Sequence, residues 1–210
     1  MLRLLHRPGP FRRSSPIQFS PRLRHMVIAS LATLHVASIP ARAQSPLRAV
    51  LIVRHGEKAA APKENPPLSP AGQARAQALL EALREAGITT IITTDQERTR
   101  ATAAPLASTL HLQGVIVPRS EDPQKDAGDV ANAVRRAGGT VLVVSHQLTM
   151  PFIIADLGGP KVATVCDTEF SNLYILVPGK SKHLQLIRSH YGLPDPPHDA
   201  DCHITPVSPP

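Results

Sequence analysis

Two histidines and two arginines stand where they could act together on an anion. His55 sits in Arg54-His55-Gly56-Glu57, directly behind the apolar run 49–53, and His146 follows Ser145 behind a second apolar run, 140–144. Arg98 lies a few residues past a β-branched run, 88–93. Continuous apolar runs of this kind read as buried strands covered on both faces. Run in parallel, such strands all end at one carboxyl edge, where open α/β sheets place their chemistry. Arginine offers planar paired donors matched to phosphate oxygens, and hydrogen bonds to charged groups are the strong ones. The pattern points to a cationic, partly dry cavity suited to a dianionic phosphoryl group. Gly56 removes side-chain bulk beside His55, so that backbone or an anion can approach closely. Metal ligation by His55 and His146 is the weaker reading, because flanking arginines repel a cation and no carboxylate pair offsets them.

These residues have to be positioned by strands and helices in alternation. After a loop at 58–68, Ser69-Pro70 supplies a hydroxyl cap and a first-turn proline for a helix over 71–86 that Gly87 ends. Its apolar stripe runs through Ala78, Leu79, Ala82 and Leu83. The patterning then predicts a strand at 88–93, a helix at 98–110, a short strand at 113–117 and a helix at 125–137 stopped by Gly138-Gly139. A strand at 140–144 and a helix containing 150–157 follow. Two last strands, 171–177 and 184–188, flank the hairpin-like turn Pro178-Gly179-Lys180. This order makes an α/β three-layer sandwich with a mainly parallel central sheet.

The charge is unevenly spread. Formal net charge is +7, yet residues 1–43 hold seven of the 23 lysines and arginines and none of the 16 acids, so the remainder is balanced. Global basicity is therefore no argument for nucleic acid. The arginine-rich front, the apolar stretch 26–39 and the small residues of Pro40-Ala41-Arg42-Ala43 read as a cleaved signal peptide over 1–43, with Met26 as an alternative start. The apolar stretch is too short for an ordinary membrane span, so no stable span is expected after cleavage. Residues 44–192 form the expected domain and 193–210, with six prolines, a loosely ordered tail. Cys166 and Cys202, the only cysteines, are a candidate disulfide in an oxidising compartment; the other reading is two unpaired thiols.

The motifs together resemble the histidine phosphatase superfamily, the phosphoglycerate-mutase-like fold, over nearly the whole chain behind the leader. The resemblance is carried by Arg54-His55-Gly56-Glu57, by the segment from Leu68 to Ala74, by the segment from Thr94 to Ala103 that bears Arg98, and by Val144-Ser145-His146. It implies that His55 becomes a phosphohistidine, that Arg54, Arg98 and His146 hold the phosphoryl oxygens, and that neither metal nor cofactor takes part. His146 is expected to be protonated when phosphate is bound. In the mutase-like branch the proton donor is a glutamate after the third strand, which Glu121 matches best; Glu57 and Asp122 follow as rivals in that order. Gln147 stands where the phytase and acid-phosphatase branch has aspartate. Lid insertions are missing, which leaves the loops at 58–68 and 118–126 to recognise the rest of a phosphorylated small molecule or glycan. With the leader, this likens the chain to periplasmic lipopolysaccharide core heptose(II)-phosphate phosphatases. The alternatives are a protein phosphohistidine phosphatase and a non-catalytic phosphate-binding module.

Overall fold

The structure is a computed structural model that describes residues 45–179 and 183–197. The expected leader and Cys202 lie outside the described residues. Among the described residues ten elements follow one another, strand and helix alternating as far as β5: β1 (Leu47–Arg54), α1 (Pro70–Leu83), β2 (Thr90–Thr94), α2 (Glu97–Thr109), β3 (Val115–Val117), α3 (Pro123–Ala137), β4 (Gly139–Ser145), α4 (Met150–Asp156), β5 (Asn172–Pro178) and β6 (Leu184–His190). The sheet order is β3-β2-β4-β1-β5-β6. The first four of these pair in parallel, and β5 and β6 close the sheet as an antiparallel hairpin. This is the mixed, mainly parallel α/β sandwich that the patterning implies.

Alternation along the central strands builds two cores. Val50, Ile52, Val141 and Val143 face one side, with Val130, Val134, Ile153 and Ile154 of α3 and α4 packed on them. Leu51, Val53, Leu142 and Val144 face the other, against Leu79 and Leu83 of α1 and Leu106 of α2. All seven residues of β4 are buried, which is why that run carries no polar residue before its last position except Thr140. Burying both faces of such a strand is the main stabilising term in a fold of this kind.

Two local readings change. The buried stripe of α1 is Gly72, Arg75, Ala76, Leu79 and Leu83, while Ala82 is exposed and Ala78 half-buried. A 3.6-residue period started at Gly72 gives this face, and it puts a charged side chain among apolar ones. The tail is tied down at least as far as Asp195, whose carboxylate accepts hydrogen bonds from Phe170 N (2.8 Å) and Ser171 N (3.0 Å). Composition alone cannot reveal a tether of that kind. Among the described residues no helix is long and apolar enough to cross a membrane.

Candidate active site

Strand register brings the histidines together. β1 and β4 pair in parallel with Arg54 opposite Ser145, so His55 and His146 leave the sheet side by side. The ring centroids are 5.3 Å apart, and His55 N–H donates to Ser145 O at 3.0 Å. β2 pairs with the other edge of β4, Thr93 opposite Val144, and delivers Thr94 and then α2 to the same place. Arg98, in the first turn of α2, spans the pair: its Nε donates to His55 Nε2 at 3.1 Å, and its Nη2 lies 3.5 Å from His146 Nδ1. Gln96 Oε1 accepts from Arg98 Nη1 at 3.0 Å and steadies the guanidinium.

Hydrogen-bond directions settle both tautomers. His55 Nδ1 lies 2.8 Å from Gly56 O. A carbonyl only accepts, so Nδ1 carries the proton and the Nε2 lone pair faces the cavity. Thr99 Oγ1 donates to the carbonyls of Thr94 and Gln96, so Thr94 Oγ1, 2.9 Å away, donates its proton to Thr99. His146 Nε2, 3.0 Å from Thr94 Oγ1, is then the donor of that contact, which leaves Nδ1 open towards Arg98. Burial, with nearby arginines, pushes His55 down to about 3 and His146 down to about 2. Both rings are thereby held neutral at pH 7. An incoming dianion reverses the sign of the local field and favours a protonated His146.

Gly56 is small for a backbone reason. A Cβ there would lie 2.8 Å from Gly72 O, and one on Gly72 would come within van der Waals overlap of Glu57 O. The turn after β1 and the start of α1 therefore cross backbone on backbone. Ser69 caps α1 through Gly72 N at 3.1 Å, and its own N–H donates to Glu57 O at 2.8 Å. Thr102 Oγ1 accepts from Gly56 N at 2.8 Å and donates to Arg98 O, locking the nucleophile turn to α2.

Arg54 is held from behind. Its Nη1 donates to the carbonyls of Cys166, Asp167 and Glu169 at 2.9, 2.9 and 3.0 Å, and its guanidinium stacks 4.0 Å from the Phe170 ring centroid. Its Nε is buried without a hydrogen-bond partner. Burial lowers the group to about 10, so it stays charged at neutral pH.

A cavity of about 210 Å³ is lined by Arg54, His55, Arg98 and His146, with Lys58, Arg119 and Glu121 among its other walls. Two larger clefts, of about 540 and 580 Å³, lie at the β3–α3 edge and at the amino edge of the sheet. Neither contains a histidine, so size does not select the site. The three candidate carboxylates separate cleanly. Glu121 lines the cavity and is exposed. Glu57 is clasped by Arg75, Nε to Oε1 and Oε2 at 2.9 and 3.0 Å and Nη2 to Oε1 at 2.7 Å. Asp122 caps α3 by accepting from Gln124 N at 2.9 Å. Arg75, Thr94, Thr99, Thr102 and Asp126 were not singled out by the motifs. A charged residue on the apolar face of α1 and a Thr-Thr strand end were the only signals for them. Among the described residues no group of three or more side chains is arranged to hold a metal.

Residues 50–122 match the family model of the histidine phosphatase superfamily, branch 1. That segment carries His55, Arg98 and Glu121, and His146 lies beyond it. No curated protein matches the chain significantly. Among solved structures the chain is similar to a protein histidine phosphatase, SixA, complexed with tungstate, at 18% identity, TM-score 0.53, covering 68% of this chain and 96% of that one. A mycobacterial glucosyl-3-phosphoglycerate phosphatase with VO3 gives 16% identity, TM-score 0.52 and coverage of 69% and 98%. A putative alpha-ribazole-5'-P phosphatase from Escherichia coli K-12 gives 18%, 0.50, and 69% and 96%. At such identities the structures speak for the fold alone. Residues 50–122 thus match the histidine phosphatase model over the nucleophile motif, and the fold around them is the phosphoglycerate-mutase-like α/β sandwich of the solved histidine phosphatases.

Proposed function

We propose that the chain is a phosphomonoester hydrolase that works through a phosphohistidine on His55. The observation that carries this reading is the His55 Nε2 lone pair, aimed into a cationic cavity with Arg98 Nε 3.1 Å away. In the first step Nε2 bonds to phosphorus as the bond to the leaving oxygen breaks, and Glu121 gives that oxygen its proton. In the second, Glu121 takes a proton from water, the water oxygen attacks phosphorus, and the N–P bond breaks to release phosphate. Arg54, Arg98 and protonated His146 neutralise charge on the equatorial oxygens, the term that dominates phosphoryl transfer.

The substrate we propose is a sugar phosphate such as a lipopolysaccharide core heptose phosphate. Lys58 and Arg119 on the cavity wall make no ion pair among the described residues and suit a polar, anionic ligand. The cavity is large enough for the phosphoryl group and its first neighbours, so the rest of the substrate lies outside. A protein phosphohistidine is the second reading, favoured by the same lack of a lid; a non-catalytic phosphate-binding module would need a pocket without a working nucleophile. Kinetic comparison of a sugar-phosphate panel with a phosphorylated protein decides. A kcat/KM at least about ten-fold higher on a sugar phosphate is expected, and the reverse order would replace the substrate.

The compartment we propose is the periplasm, supported by the leader-like composition of 1–43. Deleting residues 1–43 should leave the protein inside the cell. An unchanged periplasmic fraction would sink export by this segment.

A further inference from the structure

We propose that Asp126 is a positioning residue that joins the loop bearing Glu121 to the turn bearing His146, setting both against the phosphoryl group. Asp126 lies in the first turn of α3 and is fully buried. Its Oδ1 accepts from Ser120 N at 3.1 Å, the residue directly before Glu121. Its Oδ2 accepts from Thr149 Oγ1, also at 3.1 Å. Thr149 is itself buried, and the N–H groups of Thr149 and Met150 both donate to His146 O at 3.1 Å. One carboxylate thus ties two walls of the cavity, since Ser120 and Thr149 both line it.

The simpler view is that an acid in a first helical turn only offsets the helix dipole. The contacts do not fit that view alone. Both oxygens of Asp126 are spent outside α3, while the helix's capping acceptor is Asp122. On the other side of Glu121, Asp126 N donates to Asp122 O at 3.0 Å, so the Glu121 backbone is held both before and after. Burying a carboxylate is unfavourable and raises the Asp126 pKa, an expense hard to explain where an apolar residue would pack. The charges facing it are Arg119, which favours its ionised form, and Asp129, which opposes it.

The inference rests on Glu121 as proton donor, and its test keeps the two apart. In the full chain, kcat/KM is measured for an alkyl phosphate, whose leaving oxygen needs a proton, and for 4-nitrophenyl phosphate, whose leaving group does not. Asp126→Ala should lower the alkyl-to-nitrophenyl ratio at least about ten-fold, because a displaced acid costs only the protonated step. Asp126→Asn should restore the ratio to within about three-fold, since its amide oxygen still accepts from Ser120 and its NH2 can donate to Thr149 Oγ1. Thr149→Val, of nearly equal volume, should raise the inhibition constant for inorganic phosphate several-fold by loosening the His146 turn, and it serves if Asp126→Ala does not fold. Equal loss on both esters, or no loss, in Asp126→Ala overturns the proposal, as does an unchanged phosphate inhibition constant in Thr149→Val. Glu121→Gln is the separate control: an unchanged ratio there refutes Glu121 as donor and leaves the Asp126 result to be read on its own ratio.

Discussion

His55→Ala should abolish both turnover and the covalent intermediate. Mixing the protein with a labelled phosphomonoester and quenching into base should trap an acid-labile, base-stable phosphoprotein, and the variant should trap none. Activity should fall by about 10³-fold or more, because His146, the other imidazole in the cavity, is protonated when phosphate is bound and cannot replace the lost nucleophile. The structural basis is the fixed tautomer: Gly56 O holds the Nδ1 proton, so Nε2 is unprotonated and its lone pair attacks phosphorus once the phosphoryl oxygens take Arg98 Nε from it. The pH profile follows from burial. An ordinary histidine titrates near 6.5, whereas His55 is pushed down to about 3 by desolvation, with Arg54 and Arg98 adding to the effect. A lowered pKa extends the neutral form to lower pH. Beyond the ionisation of the substrate itself, trapping should therefore not fall from about pH 7 to about pH 5. Hydrolysis that persists in the variant, or an enzyme group titrating near pH 6.5 on the acid limb, would defeat this mechanism.

Arg75→Ala should be the most destabilising single change away from the chemistry. Arg75 is 6% exposed, and besides its clasp on Glu57 it donates to the carbonyls of Tyr191 (3.3 Å) and Leu193 (3.2 Å). It also lies 3.8 Å from Asp195. Removing it strands the Glu57 carboxylate and two carbonyls at once and takes the cation from beside Asp195. The expected loss is about 2–4 kcal/mol, reduced from the fully buried case because the Glu57 side chain is 24% exposed. Urea denaturation measures it through the midpoint at constant slope. A loss under about 0.5 kcal/mol would show that the network is ornamental. The effect has a route to the pocket. Asp195 holds Phe170 and Ser171, and the adjoining carbonyls of 166, 167 and 169 hold Arg54. Loosening the tail should therefore weaken phosphate binding as well as stability. It should leave the alkyl-to-nitrophenyl ratio unchanged, since Glu57 belongs to this brace and not to proton transfer.

Much of this protein is written in local patterns. The runs 49–53 and 140–144 are apolar without alternation and 88–93 is β-branched throughout, and that alone makes them inner strands of a parallel sheet. Because parallel strands share one polarity, whatever follows each run must reach the same edge. Arg54, His55, Arg98 and His146 could be placed together on that ground, with no partner known. Ser69-Pro70 and Gly87 marked the ends of α1 to within a few residues, since capping depends on near neighbours.

Side-chain direction is a different kind of quantity. Whether a carboxylate faces the pocket depends on which distant donors it meets, and sequence order does not state those meetings. Glu57 stands nearest the nucleophile in sequence, yet Arg75, presented by the buried face of α1, turns it into a structural brace. Asp122 is drawn into a cap, which leaves Glu121 on the cavity wall. Asp126 accepts from the Thr149 hydroxyl and Asp195 from the Phe170 backbone, each over 20 residues away in the chain, and nothing in their own neighbours announces it. By itself the sequence determined the sheet, its chemical edge and the four cationic or imidazole groups there, because strand polarity and hydrophobic period are local properties. Only the tertiary structure decided the tautomers, the carboxylate that meets the substrate and the braces behind Arg54 and His146, because each is a hydrogen bond whose two ends are brought together by packing.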